Sequence, residues 1–155
     1  MSDVAFRTAT IDDLASIVAL LDDDDLSRGR EDASLPLDPR YLAAFEAITA
    51  DPNQMQVVAD LDGRVVGTMQ LSFLAGIAFR GGWRGQIEAV RIARDLRGQG
   101  LGGQMIAWSV ERCRERGCRM AQLTSKLDRV DAHRFYERMG WKKSHAGFKL
   151  QLGQA

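Results

Sequence analysis

The stretch Arg97-Gly98-Gln99-Gly100-Leu101-Gly102 lies between a predicted strand and a predicted helix. Glycine lets the backbone adopt positive φ angles, and it lets a ligand approach the main chain because no Cβ atom intervenes. The N–H groups and the dipole at the start of the following helix favour an anion. Arg97 adds a fixed positive charge at the edge of this glycine-rich stretch. The stretch therefore predicts a loop that binds a phosphate or pyrophosphate group.

Two common phosphate loops fit this stretch poorly. A P-loop needs Lys followed by Ser or Thr after its last glycine, whereas Gly103-Gln104 stands here. In a dinucleotide fold the first glycine directly follows the strand, and an acid at the end of the next strand binds the ribose. Here residues 94–97 intervene, and residues 122–124 include no acid. The P-loop is excluded, and a dinucleotide-dependent enzyme is kept only as a third hypothesis.

Outward from the loop, apolar periodicity predicts alternating strands and helices. Asp62-Gly63 between two apolar runs predicts a hairpin. Thr10 with Asp13, and Asp38-Pro39, predict two helix starts. The predicted strands are residues 4–8, 55–61, 64–73, 86–93, 119–124 and 141–152, and the later predicted helices are residues 101–116 and 131–139. We expect an α/β (α+β) fold in which a mixed central sheet of about six to seven strands carries helices on both faces.

Composition narrows the class of protein. The 155 residues suit a single domain spanning residues 1–155. Lys plus Arg number 21 and Asp plus Glu number 21, so the formal net charge is zero and predicts no nucleic-acid partner. The sequence contains neither an apolar window long enough to span a bilayer nor a signal-peptide pattern at its start, so we expect no membrane partner and a cytoplasmic location.

The two cysteines, Cys113 and Cys118, form neither a disulfide framework nor a zinc pattern, and no metal is expected. An acyl-carrying role for Cys113 is one interpretation. The favoured interpretation is a small apolar residue inside a helix.

Two motifs resemble those of a known family. Residues 87–102 resemble the central motif of the GCN5-related N-acetyltransferase (GNAT) superfamily, whose core pattern [QR]-x-x-G-x-[GA] is matched by Arg97, Gly100 and Gly102. Residues 131–141, Asp-Ala-His-Arg-Phe-Tyr-Glu-Arg-Met-Gly-Trp, are similar to the family's second motif, Ala-x-x-x-Tyr-Glu-x-x-Gly-aromatic. The predicted order of elements also agrees with the GNAT-like fold.

The resemblance implies acetyl-CoA as cosubstrate. Its pyrophosphate would bind the backbone amides of the glycine loop, and its pantetheine arm would pair like an extra strand with the main chain near Val90 and Ile92. Many members carry Asn seven residues before the motif tyrosine. Arg129 stands there in this chain, where it could reach a phosphate instead. The implied cofactor-binding residues are Val90, Ile92, Arg97, Gly98, Gln99, Gly100, Leu101, Gly102 and Arg129.

Acetyl transfer to an amine needs a neutral amine, and Glu88 is the candidate base. Strand alternation would place Glu88 on one face with Val90 and Ile92, an apolar setting that suits a group that takes up a proton. Glu88 would act directly or through a water, or bind the ammonium group. The alternative interpretation is an ion pair with Arg91 or Arg84.

Tyr136 is the candidate general acid toward the sulfur of CoA, a role implied by the second motif. The alternative is a core aromatic beside Phe135. The resemblance also suggests that a backbone N–H near Ile92 meets the oxyanion.

The acidic run at residues 22–25 opposes the dipole at the end of the first helix. It is expected to leave the helix and enter the following loop. One hypothesis is that it attracts a cationic amine, and the other is a solvated acidic turn.

The leading hypothesis is therefore an enzyme that moves an acetyl group from acetyl-CoA to a primary amine by direct attack in a ternary complex. The acceptor would be a small-molecule or peptide amine. The competing hypothesis is a non-catalytic acyl-CoA-binding or regulatory module. A final strand near residues 148–152 would allow a homodimer.

Overall fold

The computed structural model describes residues 3–153, which contain one five-stranded sheet and several helices. The strands are β1 Val4–Thr8, β2 Gln54–Leu61, β3 Arg64–Leu74, β4 Arg84–Ile92 and β5 Met120–Leu123, in the spatial order β1-β2-β3-β4-β5. The helices are α1 Leu14–Asp22, α2 Pro39–Ala50, the single turn α3 Ala78–Gly81, α4 Leu101–Glu115 and α5 Val130–Arg138. The chain divides into two compact units, Met1–Gln122 and Leu123–Ala155.

The sheet is mixed. The pairs β1–β2, β2–β3 and β3–β4 are antiparallel. At the start of β5 the Arg119 N–H donates to the Trp83 carbonyl over 2.8 Å, and three residues further along both strands the Gln122 side chain donates to that of Gln86 over 2.7 Å. Because both strands advance together, β5 runs parallel to β4. This parallel strand follows the crossover through α4.

Helices cover both faces of the sheet, as predicted. Val57 is paired with Met69, so these two side chains share a face, and Val58 points to the other face. On the first face the Ser109 hydroxyl of α4 donates to the Met69 sulfur over 3.1 Å. On the second face Val58 belongs to the buried cluster formed with α1 and α2, which includes Leu14, Ile17, Val18 and Phe45.

The strand predicted over residues 141–152 is wrong. Within the described part of the unit Leu123–Ala155, the regular element after β5 is α5, and residues 141–152 form no strand. Phe148, Leu150 and Leu152 are exposed at 93%, 84% and 93%. Alternating apolar residues predict a strand only where a neighbouring strand offers a hydrogen-bonding ladder. The sheet therefore has five strands where six to seven were predicted.

An ion-pair network joins β1, β2 and the start of the first helical segment. Arg7 donates to Asp13 over 2.7 Å and to Asp60 over 3.0 Å. The Thr10 N–H also donates to the Asp13 carboxylate over 2.7 Å, which confirms the predicted capping box at the 3₁₀ turn Ile11–Asp13. The hydrogen bond from Arg7 is the main cause that lowers the pKa of Asp13, and burial opposes it.

We expect Asp13→Asn to lower the free energy of unfolding at pH 7 by about 1–3 kcal/mol, because the Arg7 guanidinium loses a charged partner. A carboxylate whose pKa is lower in the folded state stabilises the protein above its unfolded pKa of about 3.9, and that stabilisation is lost as the pH falls through the folded pKa. The difference between wild type and variant should therefore shrink below about pH 4 in urea titrations. Asp12→Asn, at an exposed position in the same turn, is the control. An equal effect of both variants would contradict this role of Asp13.

Candidate active site

A β-bulge interrupts β4 in its second half. Gln70 pairs with Glu88 and the next pair is Thr68 with Arg91, so two residues of β4 lie opposite the single residue Met69. The first of these two, Ala89, has a φ angle of 53°. That left-handed conformation costs a non-glycine residue about 1–2 kcal/mol. Bulges of this kind bend a strand and redirect the side chains that follow.

The bulge changes which side chains share a face. Thr68 and Gln70 are two residues apart on β3, so their partners Arg91 and Glu88 point to the same side of the sheet. The predicted alternation, which placed Glu88 among apolar side chains two and four positions further on, is wrong. Regular alternation fails here because the extra residue shifts the period by one.

Glu88 is exposed, and among residues 3–153 it takes part in no ion pair or hydrogen bond. The alternative of an ion pair with Arg91 or Arg84 is therefore wrong. Arg91 instead binds Asp24 over 2.9 Å, with both side chains largely buried. Glu88 thus presents a solvent-accessible carboxylate at the middle of β4, and its role as base stays a prediction.

The glycine loop connects the end of β4 to α4. Gly98 and Gly100 have φ angles of 78° and 86°, and Gly100 is the N-cap of α4. The Arg97 guanidinium donates to the Ile92 carbonyl over 3.1 Å and to the Asp23 carbonyl over 3.1 Å. The loop is therefore fixed to β4, and its position at a helix N-terminus suits an anion.

The other residues implied for the cofactor have distinct settings. The exposed Gln99 side chain donates to the Asp95 carbonyl over 3.2 Å, whereas Leu101 is buried and has only backbone to offer a ligand. Gly102 lies in the first turn of α4. The Val90 carbonyl accepts a hydrogen bond from Arg91 over 2.9 Å. A pantetheine arm pairing near Val90 would have to share or replace that bond.

The acidic run after α1 pairs with arginines from the end of β4 and from the segment that follows it. Asp23 lies 2.6 Å from Arg94, and Asp25 lies 3.2 Å from the same guanidinium. Asp24 is buried against Arg91. The interpretation as a solvated acidic turn holds only in part, because Asp22 and Asp25 are exposed whereas Asp24 is buried. The run leaves the helix after Asp22, as predicted, and its next three residues join the end of α1 to the end of β4 and the segment that follows it through their ion pairs.

Within the unit Leu123–Ala155, Tyr136 lies among aromatic side chains. Its ring centroid is 5.1 Å from that of Phe135 and 5.9 Å from that of Trp141, both in edge-to-face geometry. Arg129 is the half-buried residue before α5, and its N–H donates to the Lys126 carbonyl over 3.0 Å. The aromatic packing of Tyr136 is confirmed, and the role of its phenol stays a prediction.

Cys113 is a buried residue of α4, packed against Gly85. Burial raises the pKa of the Cys113 thiol to about 11. Such a thiol is protonated at neutral pH and is a weak nucleophile. The structural interpretation of Cys113 is confirmed.

Sequence reasoning missed a polar patch on the face of the sheet that carries Glu88, which we name the amide face. The Gln70 side chain donates to that of Gln54 over 2.9 Å. The bond from Gln122 to Gln86 lies on the same face of the sheet. The amide face consists of Gln54, Gln56, Gln70, Gln86 and Gln122. The signal in the sequence was the alternation of glutamines, two residues apart in β2 and in register with Gln70.

A model of the Acetyltransferase (GNAT) family matches residues 17–141. The chain belongs to this family. It is an acetyl-CoA-dependent N-acetyltransferase. The aminoalkylphosphonate N-acetyltransferase of Salmonella typhimurium is 34% identical over 94% of this chain and 90% of its own length.

Solved structures agree with the fold of the acetyltransferase. A transcriptional regulator from Bacillus halodurans C-125 is 43% identical with a TM-score of 0.94, over 97% of this chain and all of that one. A putative acetyltransferase from Agrobacterium tumefaciens is 24% identical with a TM-score of 0.83, over 95% of this chain and 99% of that one. The second similarity concerns the fold alone.

Two further observations concern residues 3–153 of the acetyltransferase. No helix there is both long and apolar enough to cross a membrane. No group of three or more His, Cys, Asp or Glu side chains in that range is arranged to hold a metal ion.

A pair of glycine variants tests the loop. Gly100 and Gly117 both have positive φ angles and no atom within 4 Å of an added Cβ, so Gly→Ala at either site should cost about 1 kcal/mol of stability. Only Gly100→Ala changes the loop before α4, and we expect it alone to weaken CoA binding, by about tenfold in Kd by calorimetry. Equal affinities of the two variants would show that the loop does not bind the cosubstrate.

Proposed function

We propose that the acetyltransferase works by direct attack of a primary amine on the thioester of acetyl-CoA within a ternary complex. The amine nitrogen forms a bond to the carbonyl carbon, the tetrahedral intermediate collapses, and the carbon–sulfur bond breaks to release CoA thiolate. The observation that carries the proposal is the arrangement of β4. One end leads into the glycine loop, and the middle presents the accessible Glu88 carboxylate.

Glu88 is the proposed base. A primary alkylamine has a pKa of about 10.4, as Lys does, so at neutral pH the acceptor arrives protonated and must lose a proton before it attacks. Glu88 takes that proton directly or through a water, or it first holds the ammonium group. Its exposure and its freedom from ion pairs among residues 3–153 leave both oxygens available.

Tyr136 is the proposed general acid. A phenol can donate its proton to the departing thiolate. Support for this role is the second motif, which lies inside the range matched by the family model. The oxyanion is proposed to accept a hydrogen bond from a backbone N–H near Ile92, just beyond the bulge.

The donor is proposed to bind along the second half of β4 and the glycine loop. The pyrophosphate would lie on the amides of residues 97–102, and the pantetheine arm would pair near Val90 and Ile92. Arg129 would contact a phosphate of the cosubstrate. No metal takes part in the proposed chemistry.

The acceptor is proposed to be a small-molecule or peptide amine, and the similarity to the Salmonella aminoalkylphosphonate N-acetyltransferase favours a small one. The family model runs through both compact units, which supports one catalytic domain over residues 1–155. Both cysteines are free, which suits the proposed cytoplasmic location.

Turnover separates the enzyme from a regulatory acyl-CoA-binding module, a hypothesis that the similarity to the transcriptional regulator from Bacillus halodurans favours. For an enzyme we expect Glu88→Gln and Tyr136→Phe each to lower kcat by about 10²–10⁴-fold while the Kd for CoA stays within about twofold. The assay follows thiol release from acetyl-CoA with a panel of amines. Tyr41→Phe and Glu111→Gln are matched controls, since both lie on helices outside the proposed site.

Full turnover in either active-site variant would remove that residue from the mechanism. If the wild-type protein binds CoA but releases no thiol with any amine, that result would favour the hypothesis of a regulatory acyl-CoA-binding module.

We also propose that the acetyltransferase forms a homodimer through its last described segment. The exposed alternation of Phe148, Leu150 and Leu152 suits pairing with a second copy, because it buries apolar side chains and satisfies strand hydrogen bonds at once.

Light scattering should then give twice the 17.2 kDa chain mass, and Leu150→Asp should give a monomer. Lys149→Glu, the exposed neighbour, should stay dimeric. A monomeric wild type would contradict the proposal.

A further inference from the structure

Arg84 and Glu88 are a pair of opposite charges that do not meet. Regular pairing with β3 over residues 84–88 places both side chains on the same face of the sheet. Four residues of extended strand separate their Cα atoms by about 13 Å. Neither side chain has an ion pair or hydrogen bond among residues 3–153. Arg84 is a half-buried residue whose guanidinium has no anionic partner within this range, so it can bind an anion from a ligand.

The space between the two charges is lined by neutral hydrogen-bonding groups. Gln86 lies between them on β4, and Gln70 and Ser72 are their neighbours on β3. The Gln86 side-chain oxygen accepts from Gln122, which fixes its orientation. A polar molecule that lies on the amide face would therefore meet a carboxylate at one end, amides in the middle and a guanidinium at the other end.

The direction of β4 assigns this surface to the acceptor. The strand runs from Arg84 to Ile92 and then enters the glycine loop, so the phosphates of the proposed donor lie at the end opposite to Arg84. A pantetheine arm that pairs near Val90 would bring the thioester toward Glu88. The strand beyond Glu88 is then left for the molecule that attacks the thioester.

We infer that Arg84 binds an acid group of the amine acceptor, so that the preferred acceptors are zwitterions with an ammonium group near Glu88 and a phosphonate, phosphate or carboxylate near Arg84. The inference rests on the proposed function, because Glu88 marks the reacting end. The planar guanidinium can hold two oxygens of such a group at once.

Two observations support this assignment. The Arg84 guanidinium lies beside the connection after β3, where a Cβ atom on Gly76 would be 3.4 Å from its Nη1 atom, so this end of the amide face carries a positive charge. The Salmonella relative is described as an aminoalkylphosphonate N-acetyltransferase, and an aminoalkylphosphonate carries these two charges on a short chain.

The test compares acceptors that share an amine and differ in the second group. An aminoalkylphosphonate, the ω-amino acid of equal chain length and the simple alkylamine of equal length are assayed with acetyl-CoA. We expect Arg84→Met to raise KM for the phosphonate and the amino acid between about tenfold and a hundredfold, and to leave KM for the alkylamine within about twofold. Arg84→Lys should restore part of the loss because it keeps the charge but not the bidentate geometry.

The control is Arg114→Met, which removes one charge from an exposed guanidinium paired with Glu111 on α4. Equal KM changes for charged and simple amines in Arg84→Met, or no change for any of them, would overturn the inference while leaving acetyl transfer intact. A larger effect on the phosphonate than on the amino acid identifies phosphonate as the preferred acid group, and the reverse order identifies carboxylate. Failure of the proposed function has a different signature, namely no thiol release by the wild type with any of the amines.

Discussion

The bulge at Ala89 is the constraint on which the rest of the site depends. Without the extra residue, Glu88 and Arg91 would point to opposite faces, because side chains three positions apart on a regular strand do so. With it, both face the side covered by α1, and Arg91 reaches the buried Asp24. A left-handed alanine is unfavourable by itself, so the ladders and this ion pair must hold it in place. The site is thus assembled by a strained residue that carries no chemistry of its own.

The charges at the end of β4 follow from that arrangement. Arg91, Arg94 and Arg97 would make this edge strongly positive, but the acidic run after α1 neutralises much of it. The proposed anion binding at the glycine loop would therefore depend more on N–H groups at the start of α4 than on net charge. A buried pair such as Arg91 with Asp24 adds little stability compared with apolar packing, whereas losing one partner is costly. Its effect is to fix the position of the α1–α2 connection beside β4.

Local signals predicted the elements well. The Asp62-Gly63 turn has positive φ at both residues, as its sequence requires, and α4 ends before Gly117 at a φ angle of 75°. The errors concern contacts between distant parts of the chain. The bulge is defined by the register of β4 against β3, and the Arg94 partner of Asp23 is 71 residues away in sequence. No window of sequence contains either fact, so the face of Glu88 and the pairing of the acidic run were both mispredicted.

In the proposed arrangement, different parts of one strand recognise the two substrates. The proposed donor contacts are mostly backbone groups of the loop and the second half of β4, where side-chain identity has little influence. The proposed acceptor contacts are side chains, at the alternate positions Arg84, Gln86 and Glu88 of the first half. The bulge separates the two halves. It follows that a motif can identify the donor from sequence, while the acceptor must be inferred from which side chains share a face. In this chain those side chains combine one cation, one anion and neutral amides, which is a complement to a zwitterion and a poor match for a polycation or an apolar arylamine.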